Sequence, residues 1–349
     1  MHVKGSFAED WSVKAMPNKI ALFTPAWLDA CALYRMFLPH LYLKSSRFVF
    51  NPRGLSIHEF TGVDVIVVQR QATDANEKAL KQFIDLGFKL IYDLDDNLWN
   101  LPSANPAAKI FEQMRPGFGR CARLCHAITV STESLATAVR TAVPEFSKEI
   151  VVIPNAVDEN LFRKINLPKD ESKFVVGWGG SNTHAGDIRE VWEILPDLLE
   201  ELPNLYLEFI GHGPPKKIEN HPRVKIRQFV PVAEYFARYT SWAWDVVLAP
   251  LDDNRFNRSK SALKMIEATT IGAVCLGSPV EPYNRFVDHD AELKYVLCRK
   301  QSIWKDRIRE LYYDREKHKY YADRMRKVTE EHYAIQKVKD QWNSLIQSL

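Results

Sequence analysis

The chain of 349 residues has few of the features that mark a covalently or metal-stapled protein. Its five cysteines, Cys31, Cys121, Cys125, Cys275 and Cys298, form an odd set without a CxxC pair. Disulfide frameworks and zinc ribbons need paired thiols at set spacings, and Cys121 and Cys125, though spaced to share a helix face, have no further ligands nearby in sequence. Free, buried thiols are expected. An excess of charge of one sign is also lacking: 47 basic residues face 44 acidic ones, a net charge of +3. This argues against the broad basic face of a dedicated nucleic-acid binder. No run of about 18 apolar residues offers a membrane span. The opening MHVKGSFAEDWSVKAM lacks the apolar core of a secretory leader, so a cytoplasmic location is expected, with peripheral contact to a membrane or a lipid-linked substrate left open.

What is present is a soluble globular composition, 46% hydrophobic and 26% charged, in a chain long enough for two domains. Apolar strand signals at 20–23, 63–68, 90–92, 127–130 and 150–153 alternate with helical patterns at 30–43, 76–86, 107–121 and 133–142. The alternation predicts parallel strands covered by helices. After the polar stretch 158–172 the pattern restarts at Phe174 and runs through apolar segments to Tyr295–Leu297. The expected fold is therefore α/β, two doubly wound Rossmann-like domains facing each other across a cleft. Residues 1–160 form the first domain and 161–325 the second, with 326–349 a helix that packs back on the first. The tail from about Gln301 interleaves aromatics with basic residues. Amphipathic helices anchored by aromatics explain it best, with a nucleic-acid or membrane surface as the alternative.

The stretch Trp244–Ser278 carries the strongest chemical signal. A helix beginning near Ser259 would set Lys260, Lys264 and Glu267 within about 60° of one another, with Ala262, Leu263, Met265 and Ile266 opposite. Two cations near a helix start, at the carboxyl end of a strand, suit a diphosphate, and a carboxylate two turns along can accept hydrogen bonds from sugar hydroxyls. An ordinary amphipathic helix with a surface Lys–Glu pair fits the same pattern. In FVVGWGGSNTHAGDIREVW a strand is expected to end at Gly177, and Gly179, Gly180 and Ser181 then lead towards a helix beginning near Ala185 or Gly186, where backbone amides hold phosphate oxygens. The segment is neither a dinucleotide fingerprint nor a P-loop. His184 is either a donor to a phosphate or sugar oxygen or a helix cap.

On the other half, Asp93, Asp95 and Asp96 close an apolar strand. A divalent-metal site is one reading; loop capping or contact with an acceptor is preferred. Tyr34 and Arg35 lie on a helix that begins in the expected cleft, where they meet an acceptor or serve structure. Ser131, Thr132 and Ser134 read as helix caps. No Ser–His–Asp or Cys–His nucleophile is assembled along the sequence.

Taken together, ITVSTESLA (128–136), VVIPNAVDENLF (151–162), VVGWGGSNTH (175–184), LEFIGHG (207–213) and FNRSKSALKMIEATTIGAV (256–274) resemble the GT-B glycosyltransferases, especially family 4 and related phage and bacterial polysaccharide enzymes. The resemblance implies that the second domain binds a nucleotide-diphosphate sugar and the first takes the acceptor, with retention of configuration. Neither cofactor nor metal is required. It places Glu267 at the second glutamate of a pair seven residues apart, the ribose ligand. Ser259 stands where the first glutamate belongs, with Asp253 or Asn257 as stand-ins and Ser261 a further donor-side candidate. Asn155 and Asp158 fall in the interdomain turn. Lys260 and Lys264 are assigned to the diphosphate by charge and face alone. A surface glycan or lipid-linked saccharide is the favoured acceptor, and hydroxymethylated pyrimidine in phage DNA the minority one. The alternatives are a non-catalytic nucleotide-sugar-binding scaffold, motivated by Ser259, and a sugar-nucleotide epimerase.

Overall fold

A computed structural model describes residues 19–25, 29–158, 160, 169–180 and 186–349. Two parallel sheets form the frame. The first runs β2-β1-β3-β4-β5-β6, built from Ile20–Thr24 (β1), Ser46–Phe50 (β2), Val65–Gln69 (β3), Lys89–Leu94 (β4), Ala127–Val130 (β5) and Glu149–Val152 (β6). The second runs β11-β10-β7-β8-β9, from Phe174–Gly180 (β7), Leu205–Gly211 (β8), Val224–Arg227 (β9), Val246–Ala249 (β10) and Val274–Gly277 (β11). All described pairings are parallel. Strands β1, β3, β5 and β10 are buried along their whole length, as sheets covered on both faces require. Strand β2, missed by the sequence reading, is a half-buried edge strand whose short SRFVF follows directly on a helix. The segment Tyr295–Leu297 is not a strand: Ala291–Val296 is a 3-10 helix, and Leu297 makes a single bridge to Gly277.

In each sheet the strand order reverses once, between β1 and β3 and between β7 and β10. Crevices at the carboxyl ends of strands open at such reversals and are where this architecture takes ligands. Around the first sheet lie α1 (Ala30–Ala32), a π-helical turn (Leu33–Phe37), α2 (Leu38–Tyr42), α3 (Asp74–Asp85), α4 (Ala108–Leu124) and α5 (Glu133–Ala142). Around the second lie α6 (Arg189–Trp192), α7 (Leu195–Glu201), α8 (Val232–Thr240), α9 (Arg255–Arg258), α10 (Leu263–Thr270), α11 (Glu281–Val287), α12 (Gln301–Tyr313) and α13 (Arg315–His332). The last helix, α14 (Ile335–Ser348), crosses back onto α2 of the first half. Residues 326–332, expected in the crossing helix, instead complete α13; the chain changes direction at Tyr333 and Ala334, the latter with extended backbone. Trp342, Leu345 and Ile346 are buried there, each contributing about 1.5–3 kcal/mol of apolar burial. Among the described residues no helix is long and apolar enough to cross a membrane.

Gly177 is needed for close approach rather than for flexibility. A Cβ on Gly177 would lie 2.0 Å from the Trp244 ring, so only glycine lets that indole lie against β7. All five cysteines are free, four of them buried.

Candidate functional site

The expected helix from Ser259 is instead two helices with a turn between them. Asn254 caps the short α9 by accepting from the Asn257 amide at 2.9 Å, and α10 begins only at Leu263. Ser259 sits in the turn, its hydroxyl donating to Arg255 O at 3.1 Å, so Lys260 and Ser261 lie outside the helix. Lys264 and Glu267, three apart on α10, remain on one face as expected.

That face closes a cavity of about 360 Å3 at the β7/β10 reversal. Gly179 and Gly180 form one edge, and Phe229, Tyr239, Trp242 and Trp244 form aromatic walls. Lys264 donates to Gly179 O at 2.7 Å and lies over the Trp178 ring, 5.2 Å from its centre. Burial, then the neighbouring Lys260, pulls the Lys264 ammonium down to about 8. Burial pushes the Glu267 carboxyl up to about 7, against the opposing effect of hydrogen bonds from Tyr34 and Tyr235 and the charge of Lys264. Tyr34, on the π-helical turn of the first half, donates to Glu267 Oε1. The hydroxyl stays neutral, since burial first and Glu267 next raise it well above its ordinary value.

Lys260 stands beside this pair, its ammonium 4.9 Å from the centre of the Phe256 ring. It borders two further cavities between the halves. One, of about 540 Å3, is lined from the first half by Arg70, Asp96 and Asn105 and from the second by Asp187, Asp252 and Asn257. The other, of about 370 Å3, includes Thr132, Ser261, Arg285 and His289.

The remaining candidates are placed as follows. Ser259 is buried and stitches the halves together: Asn97 donates to its hydroxyl at 3.2 Å and Thr132 to its carbonyl at 2.8 Å. Ser261 accepts from Asn155 at 3.0 Å, a second link between the halves. Asn257 is buried, donating to Asp187 Oδ1 at 3.1 Å and Asp252 O at 2.9 Å, so it shapes the larger cavity. Asp253, considered as a replacement carboxylate, is turned outward, more than half exposed and paired with Arg258 at 2.5 Å. Arg35, considered for an acceptor or phosphate, is 1% exposed and held 2.7 Å from Asp93, which is itself fully buried and accepts from Thr129 at 2.7 Å. A guanidinium sealed this way is structural, and Arg35 does not reach the cleft. Asp95 and Asp96 both bind Arg70, with its Nε 2.8 Å from Asp95 Oδ1 and its Nη2 3.1 Å from Asp96 Oδ2. Cys31 and these two carboxylates offer ligand atoms within 4.8 Å of one another, but the Arg70 guanidinium already supplies their counter-charge. Ser181 and His184 lie outside the described residues.

The sequence reading missed the aromatic walls. Tyr235, Tyr239, Trp242 and Trp244 lie within ten residues, the tyrosines one helical turn apart, and that density was the available signal. It also missed Arg70, Asp187 and Asp252, whose meeting depends on the order of the strands. Burial and the neighbouring Asp187 raise the Asp252 carboxyl.

No protein-family model matches the sequence, and no curated protein matches it. Solved structures do match in shape. Anabaena HepE in complex with UDP-glucose superposes with a TM-score of 0.67 at 14% identity, over 95% of this chain and 100% of that one. Sucrose-phosphate synthase from Thermosynechococcus elongatus gives 0.66 at 14%, over 95% and 98%. A putative UDP-N-acetylglucosamine 2-epimerase from Listeria monocytogenes gives 0.60 at 13%, over 95% and 96%. With both sheets parallel, cavities shared between the halves and a final helix that crosses back, the chain has the GT-B fold.

Proposed function

We propose that the protein transfers a sugar from a nucleotide-diphosphate sugar to an acceptor hydroxyl with retention of configuration. The observation that carries this reading is the pair formed by half-buried Lys264 and buried Glu267, which line the cavity at the β7/β10 reversal beside the Gly179–Gly180 edge. The aromatic cavity suits a nucleoside, with Glu267 accepting from the ribose hydroxyls. Lys260 and Lys264 face the diphosphate. As the glycosidic bond breaks, negative charge grows on the departing phosphate. Ammonium groups already in place stabilise that charge without reorganisation, an effect commonly of about 3–4 kcal/mol. The phosphate itself accepts the acceptor's proton, so no protein base is needed. The similar structures add support, one holding UDP-glucose.

The 540 Å3 cavity is assigned to the acceptor. Its charged side chains include Arg70, Arg189 and Lys260 against Asp96, Asp187 and Asp252, with Asn105, Asn254 and Asn257 between them. This balanced mixture suits sugar hydroxyls and opposes a polyanion, favouring a saccharide, free or lipid-linked, over DNA. A panel of UDP-, GDP-, ADP- and dTDP-sugars tests the donor: one of them should raise the melting temperature and be consumed on addition of saccharide. If none is bound, hydrolysed or transferred, the reading is wrong.

The second reading is a binding subunit without turnover. It is favoured by Ser259, which carries no carboxylate and is engaged in joining the halves. Nucleotide-sugar binding without transfer to any acceptor would select it.

A further inference from the structure

Two neighbouring residues of the first half, Tyr34 and Arg35, have parted company. Pro39 begins α2. It has no N–H for the carbonyl four residues back, and its ring crowds that carbonyl, which belongs to Arg35. The helix widens into the π-turn Leu33–Phe37, a departure that recurs at functional sites. Arg35 then turns into the first half towards Asp93, whereas Tyr34 reaches Glu267 of the second half. Tyr34 is 4% exposed and lines the aromatic cavity. The other hydroxyl on Glu267 comes from Tyr235 of α8, within the second half.

We infer that Tyr34 is a positioning residue, supplied by the first half, which orients the Glu267 carboxylate and so completes the donor pocket only when the two halves are closed on each other. The inference rests on the donor reading above for its ligand, but the contact with Glu267 can be tested without one. A hydroxyl donating to a carboxylate favours the charged form, and such charge-assisted bonds are about twice as strong as neutral ones. Losing it both frees the carboxylate to turn and makes it easier to protonate.

The test is Tyr34→Phe, which keeps the ring and its packing. In protein carrying 13C-labelled glutamate, with the Glu267 carboxyl signal identified by its loss in Glu267→Gln, the titration midpoint should rise by about one pH unit. Donor affinity should fall about tenfold, expressed in KM, while kcat at saturating donor stays within about twofold. In the Glu267→Gln background, Tyr34→Phe should cost no further affinity. Tyr235→Phe should shift the Glu267 midpoint as well, since it removes the other hydroxyl. A role in packing alone would lower the melting temperature and leave the midpoint in place. An unmoved Glu267 midpoint in Tyr34→Phe overturns the inference, as does a full additional loss in the double variant. If the unsubstituted protein binds no nucleotide, the donor reading fails, while the titration still decides the role of Tyr34.

Discussion

Each half withdraws a cation and a carboxylate from water, fully in the first and only partly for the lysine of the second, and the two halves treat them differently. In the first, Arg35 and Asp93 touch directly, and Thr129 and Asn155 occupy further hydrogen-bonding positions. In the second, Lys264 and Glu267 are each held by neutral groups, a carbonyl for one and two phenols for the other, at the edge of a cavity. Charges that satisfy each other have little left for a ligand. Charges desolvated beside open space keep most of their attraction for one, and their shifted titration reflects that tension.

The largest test of this contrast is to break the sealed pair. Asp93→Ala leaves Arg35 buried without its counter-charge and should cost about 3–5 kcal/mol in urea unfolding. Glu267→Gln, which removes a charge that burial disfavours, should leave stability level or raised in the same assay. Next in size is Lys264→Met. It should slow transfer by about a hundred- to a thousandfold, measured as kcat, with little change in folding.

A smaller and sharper effect is expected on titration. A diphosphate needs Lys264 charged, below about 8, and a ribose needs Glu267 ionised, above about 7. Donor affinity measured by calorimetry should therefore peak between these values and fall on both sides. The stability signs are opposite. The Glu267 carboxyl titrates higher folded than unfolded, so it stabilises most below about 4.5 and loses that contribution as pH rises through about 7. Lys264 titrates lower folded, so its contribution is present above about 10.5 and is lost as pH falls through about 8. The smallest effect belongs to the exposed pair. Asp253→Ala should change stability by less than about 1 kcal/mol and leave donor affinity unaltered, since Asp253 faces outward.

The fold was legible because buried strands carry unbroken apolar runs, as in residues 65–68 of β3, all of them buried. Edge strand β2 lacked that mark. Lys264 and Glu267 were legible because three residues on a helix fix a shared face. The start of that helix was not. The helix was expected to begin near Ser259, yet this serine bonds backwards to Arg255 and sideways to the first half. The roles of Tyr34 and Arg35 were left open for a similar reason: neighbours on a helix point about 100° apart, and only the tertiary structure shows that one enters the first half and the other reaches the second. Asp187 and Asp252 come together through strand order, which no local pattern encodes.

The route by which the chain passes between its halves has a mechanical consequence. It crosses near Val157 and again at Ala334, and the crossings are zipped together: Val157 N donates to Tyr333 O and Ile335 N to Val157 O, each at 3.1 Å. Two cords bound side by side bend readily about one line and resist torsion. Opening should thus resemble a book on its spine, so that pages returning to register bring the same atoms face to face at every cycle.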